Sequence, residues 1–494
     1  MSRSRSNRFI RSVYNLARIC PLFLFATGAA AAPVRPNLIF ITSDDHRWDA
    51  LGAAGHSGLH TPVLDRLAAE GVYFRQATTH VSQCLPVRAT LLTGLTVHQH
   101  GAWANQSQSP EAMRPDAWSG LPTVANVLRD AGYRTALVGK WHLEAEPWLT
   151  GFTDVRIWLP HHGAEYRDPE LARGRSREIK KVEGFTQQIL ADDAIAFLRG
   201  AEAKEKPFLL WLAFTAPHVP LAPNPPEVQK LYAGKTREDL LSPGFPRGIP
   251  TGDWLHYAEA VSDLDRQIGR VLAALAEAKL DGPTLVLFSG DNGFLLGQRG
   301  MGVTGAAGKI VPYEGSIRVP MILWAPHLPD LAGPADLAAS TLDIPPTLLH
   351  LAGINPPDAW PGRDLVAALR RDRNTGLEDA FSEWADERSE RWGKEAFRMV
   401  RTPRHKLIVW KDPARHAELY DLAADPQEEK NLIDAPDMQA VRKDLEARLR
   451  QWMERTADPA REWNAEPPSQ VPASRRNASR ILSGGAVCPP SNSL

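Results

Sequence analysis

Residues 37–45 read NLIFITSDD, an apolar run of strand length that ends in two adjacent aspartates. A short apolar run rich in β-branched and aromatic residues predicts a buried β-strand. Residues 284–293, TLVLFSGDNG, repeat the pattern, since a second apolar run leads into Asp291 and Asn292. Ligands of open α/β sheets bind beyond the carboxyl ends of the strands, so we expect these polar residues to converge at one edge.

Short apolar runs alternate with amphipathic helical stretches between about residues 36 and 326, which is the pattern of an α/β domain. The stretch TPVLDRLAAEG predicts a helix with Thr61 as N-cap, Pro62 at the first position and Gly71 just past its end. A longer helix is predicted over residues 253–280, because apolar residues recur there every three or four positions. The predicted strands are residues 37–42, 135–138, 207–214, 284–289 and 319–324.

The pattern changes after about residue 373 to the strand-like runs FRMVRT, KLIVW and ELYDL, followed by a helical stretch over residues 436–455. The sequence therefore predicts an α/β fold with a large mixed, mostly parallel sheet flanked by helices, and a smaller C-terminal α+β subdomain of antiparallel strands. The predicted boundaries are residues 33–375 for the large domain, 376–465 for the subdomain and 466–494 for a flexible tail.

The first 32 residues contain five arginines and no acid, followed by an apolar run that ends in alanines. This pattern predicts a secretory signal peptide over residues 1–32, and hence a periplasmic or secreted protein. The run is too short for a bilayer and no later run is long enough, so the chain is not predicted to span a membrane.

The composition of the 494-residue chain, 43% hydrophobic and 23% charged, is typical of a globular protein. Loss of the five N-terminal arginines from a chain of formal net charge −1 leaves about −6, which argues against a nucleic-acid partner. The three cysteines are Cys20, Cys84 and Cys488, and removal of the signal peptide would leave no disulfide framework.

Residues 84–94, CLPVRATLLTG, predict a helix that begins near Leu85, because Pro86 is tolerated in a first turn and Gly94 lies where the helix could stop. Cys84 would face the positive end of this helix, which favours an anion, and Arg88 adds a permanent cation one turn further on. On these residues alone, an inert buried thiol is an equally good interpretation of Cys84.

Asp44, Asp45, Asp291 and Asn292 offer oxygen donors that could surround one cation at the carboxyl ends of two strands. Such a donor set selects a hard cation, calcium first and magnesium second. The alternative is a pair of solvated turns, in which Asp, Asn and Gly are common.

Three more polar segments follow predicted strands or the Asp291 run, and each could be an ordinary surface feature by itself. Lys140 and His142 in GKWHL are two residues apart, so in an extended segment both would point to the same side. His218 lies in the proline-flanked string TAPHVP, and Lys309 lies in AAGKIVPYEGSIRVP.

The C-x-P-x-R spacing of Cys84, Pro86 and Arg88 resembles the signature of the type I, formylglycine-dependent sulfatases of the alkaline phosphatase superfamily. Five further motifs occur in the order of that family. They are the paired aspartates, GKWHL, the Asp-Asn pair, the K…YE…R-V-P block and a DP…E…NL string at residues 425–432. Val87 is a departure, because the family most often has Ser or Ala there.

The resemblance implies a sulfuric ester hydrolase in which the formylglycine-generating enzyme converts Cys84 to formylglycine, whose hydrate attacks sulfur. In that scheme Asp291 takes a proton from the nucleophile, His218 or else Lys309 protonates the leaving group, and His142 takes a proton during elimination. The implied catalytic residues are Cys84, Arg88, Lys140, His142, His218 and Lys309, and the implied ligands of calcium are Asp44, Asp45, Cys84, Asp291 and Asn292.

The string DDHRWDALG resembles bacterial glycan sulfatases, so a sulfated carbohydrate is the expected substrate, with aryl sulfates also cleaved. Trp48, Trp103, Trp141 and Trp148 lie near the implied site and could stack on sugars, although most tryptophans only pack. Two alternatives remain: a phosphonate monoester hydrolase or phosphodiesterase of the same superfamily, and a non-catalytic binder of sulfated glycans with an unmodified cysteine. The intact acids and lysines argue against the binder.

Overall fold

The computed structural model describes residues 35–105, 118, 120–160, 165–249, 251–281, 284–303, 308–371, 379–385, 395–412 and 415–463. The predicted signal peptide and tail, with Cys20 and Cys488, lie outside these residues. No helix in this part of the chain has both the length and the apolar character needed to cross a bilayer.

The described residues form thirteen strands and twelve α-helices. The strands are β1 (Asn37–Ser43), β2 (Val72–Tyr73), β3 (Arg134–Lys140), β4 (Asp154–Leu159), β5 (Glu170–Arg173), β6 (Lys180–Lys181), β7 (Phe208–Ala213), β8 (Thr284–Gly290), β9 (Met321–Trp324), β10 (Ala380–Trp384), β11 (Phe397–Arg401), β12 (His405–Trp410) and β13 (Glu418–Asp421). The helices are α1 (Pro62–Glu70), α2 (Cys84–Thr93), α3 (Val97–His100), α4 (Val124–Asp130), α5 (Thr186–Arg199), α6 (Pro226–Gln229), α7 (Arg237–Leu240), α8 (Trp254–Glu277), α9 (Glu314–Ile317), α10 (Ile344–Leu351), α11 (Leu365–Arg371) and α12 (Gln439–Arg455).

Nine of these strands form one mixed sheet in the order β2-β9-β8-β1-β7-β3-β4-β5-β6. The five central strands, β8 to β4 in this order, are parallel, and the flanking strands pair antiparallel. The α/β prediction is confirmed, and each of the five predicted strands is found within two residues of its expected ends. The sequence did not predict β2 and β6, which have only two residues, β4 and β5, where charged residues interrupt the apolar run, or β10.

Helices cover both faces of the sheet, because alternate side chains of each central strand enter different hydrophobic clusters. In β1, Leu38 and Phe40 join the cluster that contains α2, α4 and α10, whereas Ile39 and Ile41 join the cluster beneath α1, α5 and α8. Strands buried on both faces read as continuous apolar runs, which is why the sequence pattern was clear at the centre of the sheet.

The C-terminal strands form a separate antiparallel sheet in the order β10-β11-β12-β13, and α12 packs on it through Leu445, Leu449 and Trp452. One face of this sheet joins the core of the large sheet, since Phe397 and Ile408 belong to the same cluster as Leu38. The antiparallel C-terminal sheet is therefore confirmed, while the boundary at residues 375 and 376 stays a prediction.

Helix α2 begins one residue earlier than predicted, at Cys84, and ends where Gly94 adopts a left-handed backbone with φ 67°. The Gly94 N–H donates to the carbonyl of Thr90. A Cβ at position 94 would lie 2.3 Å from the ring of Trp360. Glycine is required here for both its backbone freedom and its lack of a side chain.

We expect Gly94→Ala to destabilise the protein by about 2–4 kcal/mol, because left-handed strain of about 1 kcal/mol adds to overpacking against Trp360. Gly101 is a matched control, since it also ends a helix with a left-handed φ of 73°, but a Cβ at position 101 would meet no atom of the described residues within 4 Å. Urea unfolding of both variants measures the difference. Equal loss of unfolding free energy in Gly94→Ala and Gly101→Ala would show that the Trp360 contact is unimportant.

Candidate active site

Strands β1 and β8 are parallel neighbours, and their last residues, Ser43 and Gly290, lie opposite each other. The backbone N–H of Asp291 donates to the carbonyl of Ser43 at 2.9 Å, and the N–H of Asp45 donates to Oδ1 of Asp291 at 3.3 Å. The two acidic strand ends thus converge at one edge of the sheet, as the apolar runs predicted.

Cys84 lies at the start of α2 and faces this edge. Its Sγ is 3.2 Å from Oδ1 of Asp44 and 3.0 Å from Nζ of Lys309, and the side chain is fully buried. The backbone N–H of Leu85, the next residue, donates a hydrogen bond to the side-chain oxygen of Asn105 at 3.0 Å. The thiol therefore sits among charged groups at the helix N-terminus rather than in an apolar core.

Three buried cations balance the three buried carboxylates. Lys140, the last residue of β3, donates to Asp44, and Lys309 donates to both oxygens of Asp45 at 2.9 and 3.1 Å. Arg88, one turn beyond Cys84, donates to Oδ2 of Asp291 at 2.9 Å and to the carbonyl of Lys140 at 2.8 Å. Arg88 therefore links Asp291 to the end of β3.

Burial and the neighbouring Asp44 carboxylate raise the pKa of the Cys84 thiol far above its usual range. Burial also raises the pKa of Asp291 to about 7, with a further contribution from the charge of Asp44. Burial would also raise the pKa of Asp44. The charges of Lys140, His218 and Arg88 outweigh burial and hold this pKa well below the usual range. At neutral pH the unmodified cysteine is therefore a thiol, and thiols are poor nucleophiles.

His218 follows β7 in a loop fixed by hydrogen bonds. Its carbonyl accepts from the hydroxyl of Tyr166 at 3.0 Å, and its Nδ1 donates to the carbonyl of Val219. Its Nε2 lies 3.7 Å from Oδ2 of Asp45. Burial, and then the charges of Lys140 and Lys309, lower the pKa of His218 to about 4. The imidazole is therefore neutral at physiological pH.

His142 is buried two residues beyond Lys140. The expectation of an extended segment is wrong here, because His142 has a left-handed φ of 52° and the chain turns after β3. Alternation along a strand therefore does not determine where its imidazole points, and His142 remains a predicted member of the site.

The donor atoms fit a hard cation. One oxygen or other ligand atom from each of Asp44, Asp45, Cys84 and His218 lies within 4.8 Å of the others. Asn292 donates its amide N–H to Asp45 at 2.6 Å, while its buried Oδ1 has no hydrogen-bond partner in the described part of the chain. A buried acceptor oxygen beside carboxylates is suited to a metal ligand.

Asp291 is absent from this compact group, although the family resemblance implied it as a ligand. Its Oδ1 accepts from the backbone N–H groups of Asn292 and Asp45, and its Oδ2 accepts from Arg88. Two backbone donors and the Arg88 guanidinium therefore satisfy the Asp291 carboxylate, and its role as a cation ligand stays a prediction.

The tryptophans proposed as sugar platforms are partly covered. Trp141 is buried and its ring packs on Phe152 and Trp211, so it is not a stacking surface. The guanidinium of Arg318 lies 3.6 Å from the ring centroid of Trp48. Trp48, Trp103 and Trp148 are half-buried, so burial excludes only Trp141 of the four as a stacking surface.

Sequence reasoning missed a set of residues that fix the turn after β1. The His46 ring forms hydrogen bonds with the Ser43 hydroxyl and the Ala50 carbonyl, each at 3.0 Å. The hydroxyl of Tyr257 in α8 donates a hydrogen bond to the same turn. Tyr257 lies in the long helix predicted over residues 253–280, and the apolar pattern of that helix carries no signal of a contact 212 residues away.

Comparisons with known proteins agree with this geometry. Residues 36–354 match the family model for sulfatases, and residues 302–455 match the one for the C-terminal region of N-sulphoglucosamine sulphohydrolase. This chain belongs to the sulfatase family. It is accordingly an enzyme of the sulfuric ester hydrolase class, whose members generally use a metal.

The relatives of this sulfatase include enzymes that act on amino sugars. The N-acetylgalactosamine-6-sulfatase of Sus scrofa is 32% identical over 382 residues, which cover 70% of this chain and 68% of that protein. The sulfatase YidJ of Escherichia coli K12 is 28% identical over 88% of this chain and 90% of its own length. The crystal structure of the YidJ protein of Bacteroides fragilis superposes with a TM-score of 0.74 at 25% identity, covering 87% of this chain and 97% of that one.

We expect Arg88→Met to cost about 3–5 kcal/mol of stability, because it leaves the buried Asp291 carboxylate without its counter-ion. The pair Arg75 and Asp336 is joined by two hydrogen bonds but lies in solvent, so Arg75→Met should cost less than about 1 kcal/mol. Urea unfolding of both variants and of Arg88→Met/Asp291→Asn gives the comparison. The double variant should recover part of the loss. A similar cost for the two arginines would contradict the assignment of a buried ion pair.

Proposed function

We propose that this sulfatase removes sulfate from sulfated carbohydrates, using formylglycine made from Cys84 and a bound calcium ion. The observation that carries the proposal is the position of Cys84, whose Sγ contacts both Asp44 and Lys309 in a buried cluster at the carboxyl edge of the sheet. A helix N-terminus and two lysines at this point favour a tetrahedral oxyanion beside residue 84.

The raised pKa of the Cys84 thiol supports chemical conversion of this residue, since the unmodified side chain is uncharged at neutral pH. Formylglycine would supply, as its hydrate, an oxygen nucleophile for sulfur. The formylglycine-generating enzyme is the implied maturation partner. The side chain of Val87 is fully buried in the core of the folded protein, so its departure from the family pattern has a packing role here.

The cation would be held by Asp44, Asp45, Asn292 and the modified residue 84, with Asp291 either joining them or holding the Asp45 backbone. Carboxylate and amide oxygens favour calcium, with magnesium as the alternative. A bound divalent ion supplies positive charge next to the sulfuryl oxygens.

Lys309 is protonated in the substrate-free protein. Burial alone would lower its pKa, but Asp45 and the other acidic groups around it raise that pKa well above the usual range, so it carries a proton at neutral pH. His218 is neutral, and its Nε2 would therefore accept a hydrogen bond in this state. Leaving-group protonation stays assigned to His218 or else Lys309, in the order that the family resemblance implies. Lys140 and Lys309 together would neutralise charge on the sulfuryl group.

The carbohydrate preference rests on relatives. N-acetylgalactosamine-6-sulfatases of several mammals are 30–32% identical to this chain, and an N-acetylglucosamine-6-O-sulfatase of Bacteroides thetaiotaomicron is 26% identical over 86% of it. We propose a sulfated amino sugar or glycan as the substrate, with synthetic aryl sulfates also cleaved. Residues 1–32 are proposed to direct export to the periplasm or the medium, although they lie outside the described residues.

Cys84→Ala should abolish turnover and leave the fold intact, because it removes the nucleophile from a site otherwise unchanged. Activity is measured on an aryl sulfate and on 6-sulfated N-acetylgalactosamine and N-acetylglucosamine, and folding by thermal unfolding. Mass spectrometry of the peptide that carries residue 84 should show formylglycine in the wild type. An active Cys84→Ala protein, or an unmodified thiol in active enzyme, contradicts the proposal. Faster cleavage of aryl phosphonate esters than of aryl sulfates would favour the phosphonate hydrolase alternative.

Calcium should raise the thermal stability of the wild type relative to EGTA, since a ligand at 100 times its Kd stabilises by about 2.7 kcal/mol. Asp45→Asn should lose most of this gain. Asp336→Asn is the control, because Asp336 is an exposed aspartate that pairs with Arg75, and its gain should equal that of the wild type. Unfolding temperatures that do not differ between calcium and EGTA would argue against the cation site.

A further inference from the structure

The turn that carries Asp45 adopts a conformation that needs support. Asp45 has a left-handed φ of 60°, which non-glycine residues seldom adopt without stabilising contacts. Its carboxylate is a proposed cation ligand and also accepts hydrogen bonds from Lys309 and Asn292. Any rotation of this turn would move the carboxylate away from those partners.

The hydroxyl of Tyr257 bridges two backbone groups of this turn. It donates to the carbonyl of Asp45 at 2.8 Å and accepts from the backbone N–H of Arg47 at 2.9 Å. Both peptide groups are thereby satisfied by one fully buried side chain of α8. The ring is held in place by packing on Trp254, whose ring centroid is 6.0 Å away.

Arg47 extends the same support to the loop after β8. Its guanidinium pairs with both oxygens of Asp49 at 2.8 and 2.7 Å and donates to the carbonyls of Phe294 and Leu295 at 2.8 and 3.1 Å. The Tyr257 hydroxyl therefore fixes the backbone of a residue that joins the two loops bearing the proposed ligands.

We propose that Tyr257 is a positioning residue that pre-forms the Asp45 turn and so determines the affinity of the cation site. It acts through the backbone, does not contact the cation or the substrate, and has no part in the proton transfers assigned above. The inference rests on the proposed cation. Groups that orient metal ligands typically change metal affinity by about 10- to 100-fold when removed.

The test is Tyr257→Phe, which keeps the ring and removes only the hydroxyl. We expect calcium, titrated by calorimetry into the metal-free full-length protein, to bind at least about tenfold more weakly than to the wild type. The calcium concentration for half-maximal aryl sulfatase activity should rise by the same factor. Saturating calcium should restore kcat, with KM for the aryl sulfate unchanged.

Tyr232→Phe is the matched control. Tyr232 is also buried, accepts from a backbone N–H, that of His60 at 3.0 Å, and bonds a residue of α8, Ser262, at 2.5 Å. These hydrogen bonds of the Tyr232 hydroxyl do not involve the Asp45 turn, so its loss should lower the unfolding temperature without changing calcium affinity. Wild-type affinity in Tyr257→Phe, or an equal loss in both variants, would overturn the proposal.

Hydrogen exchange of the metal-free wild type provides a measurement that does not depend on a variant. The amide of Arg47 should be protected before calcium is added, because Tyr257 already accepts its hydrogen bond. Rapid exchange that slows only after calcium binds would show that the ion, and not Tyr257, forms the turn. If the wild type binds calcium but cleaves no sulfate ester, the proposed function fails while the titration still decides the role of Tyr257.

Discussion

The balance of buried charge at the carboxyl edge of the large sheet is the constraint on which the site depends. Three carboxylates that water does not reach would be very unfavourable alone, and Lys140, Lys309 and Arg88 compensate them through direct hydrogen bonds. These cations come from three different parts of the chain: the end of β3, the segment after β8 and helix α2. The charge balance therefore requires the tertiary fold, and the same charges make the edge suitable for a cation and a sulfate ester.

The C-terminal sheet contributes to this edge through a second buried network. Glu314, five residues after Lys309, pairs with Arg401 of β11 at 2.9 Å and with Lys406 of β12 at 2.7 Å. Glu428 accepts from Lys406 at 2.6 Å and from the backbone N–H of Glu314 at 2.7 Å. Burial opposes ionisation of Glu314, but Arg401 and Lys406 outweigh it and hold its pKa well below the usual range. The subdomain thus anchors the segment that delivers Lys309, which gives it a structural role in the site.

The sequence signals were strongest where local chemistry determines local structure. Apolar runs predicted the central strands because those strands are buried on both faces, and Pro62, Gly71 and Gly94 marked helix ends through their backbone preferences. The DP…E…NL string was less well understood. Glu429 of that string is exposed, whereas its neighbour Glu428 is buried in the network and Asn431 accepts from the N–H of Leu419 at 3.0 Å.

The amino-acid sequence was enough to predict the fold class, the family and the set of polar residues at the strand ends, because each of these depends on residues close together in the chain. The contacts between groups became visible only in the folded protein: Arg88 holds Asp291, His142 lies in a turn, and Tyr257 supports Asp45. A contact between residues more than 200 positions apart leaves no pattern in the local sequence. Which loop a polar helix side chain contacts depends on how the helix and the loop pack. The shifted pKa values could not be predicted from the sequence either, because burial and neighbouring charges arise only when the chain has folded.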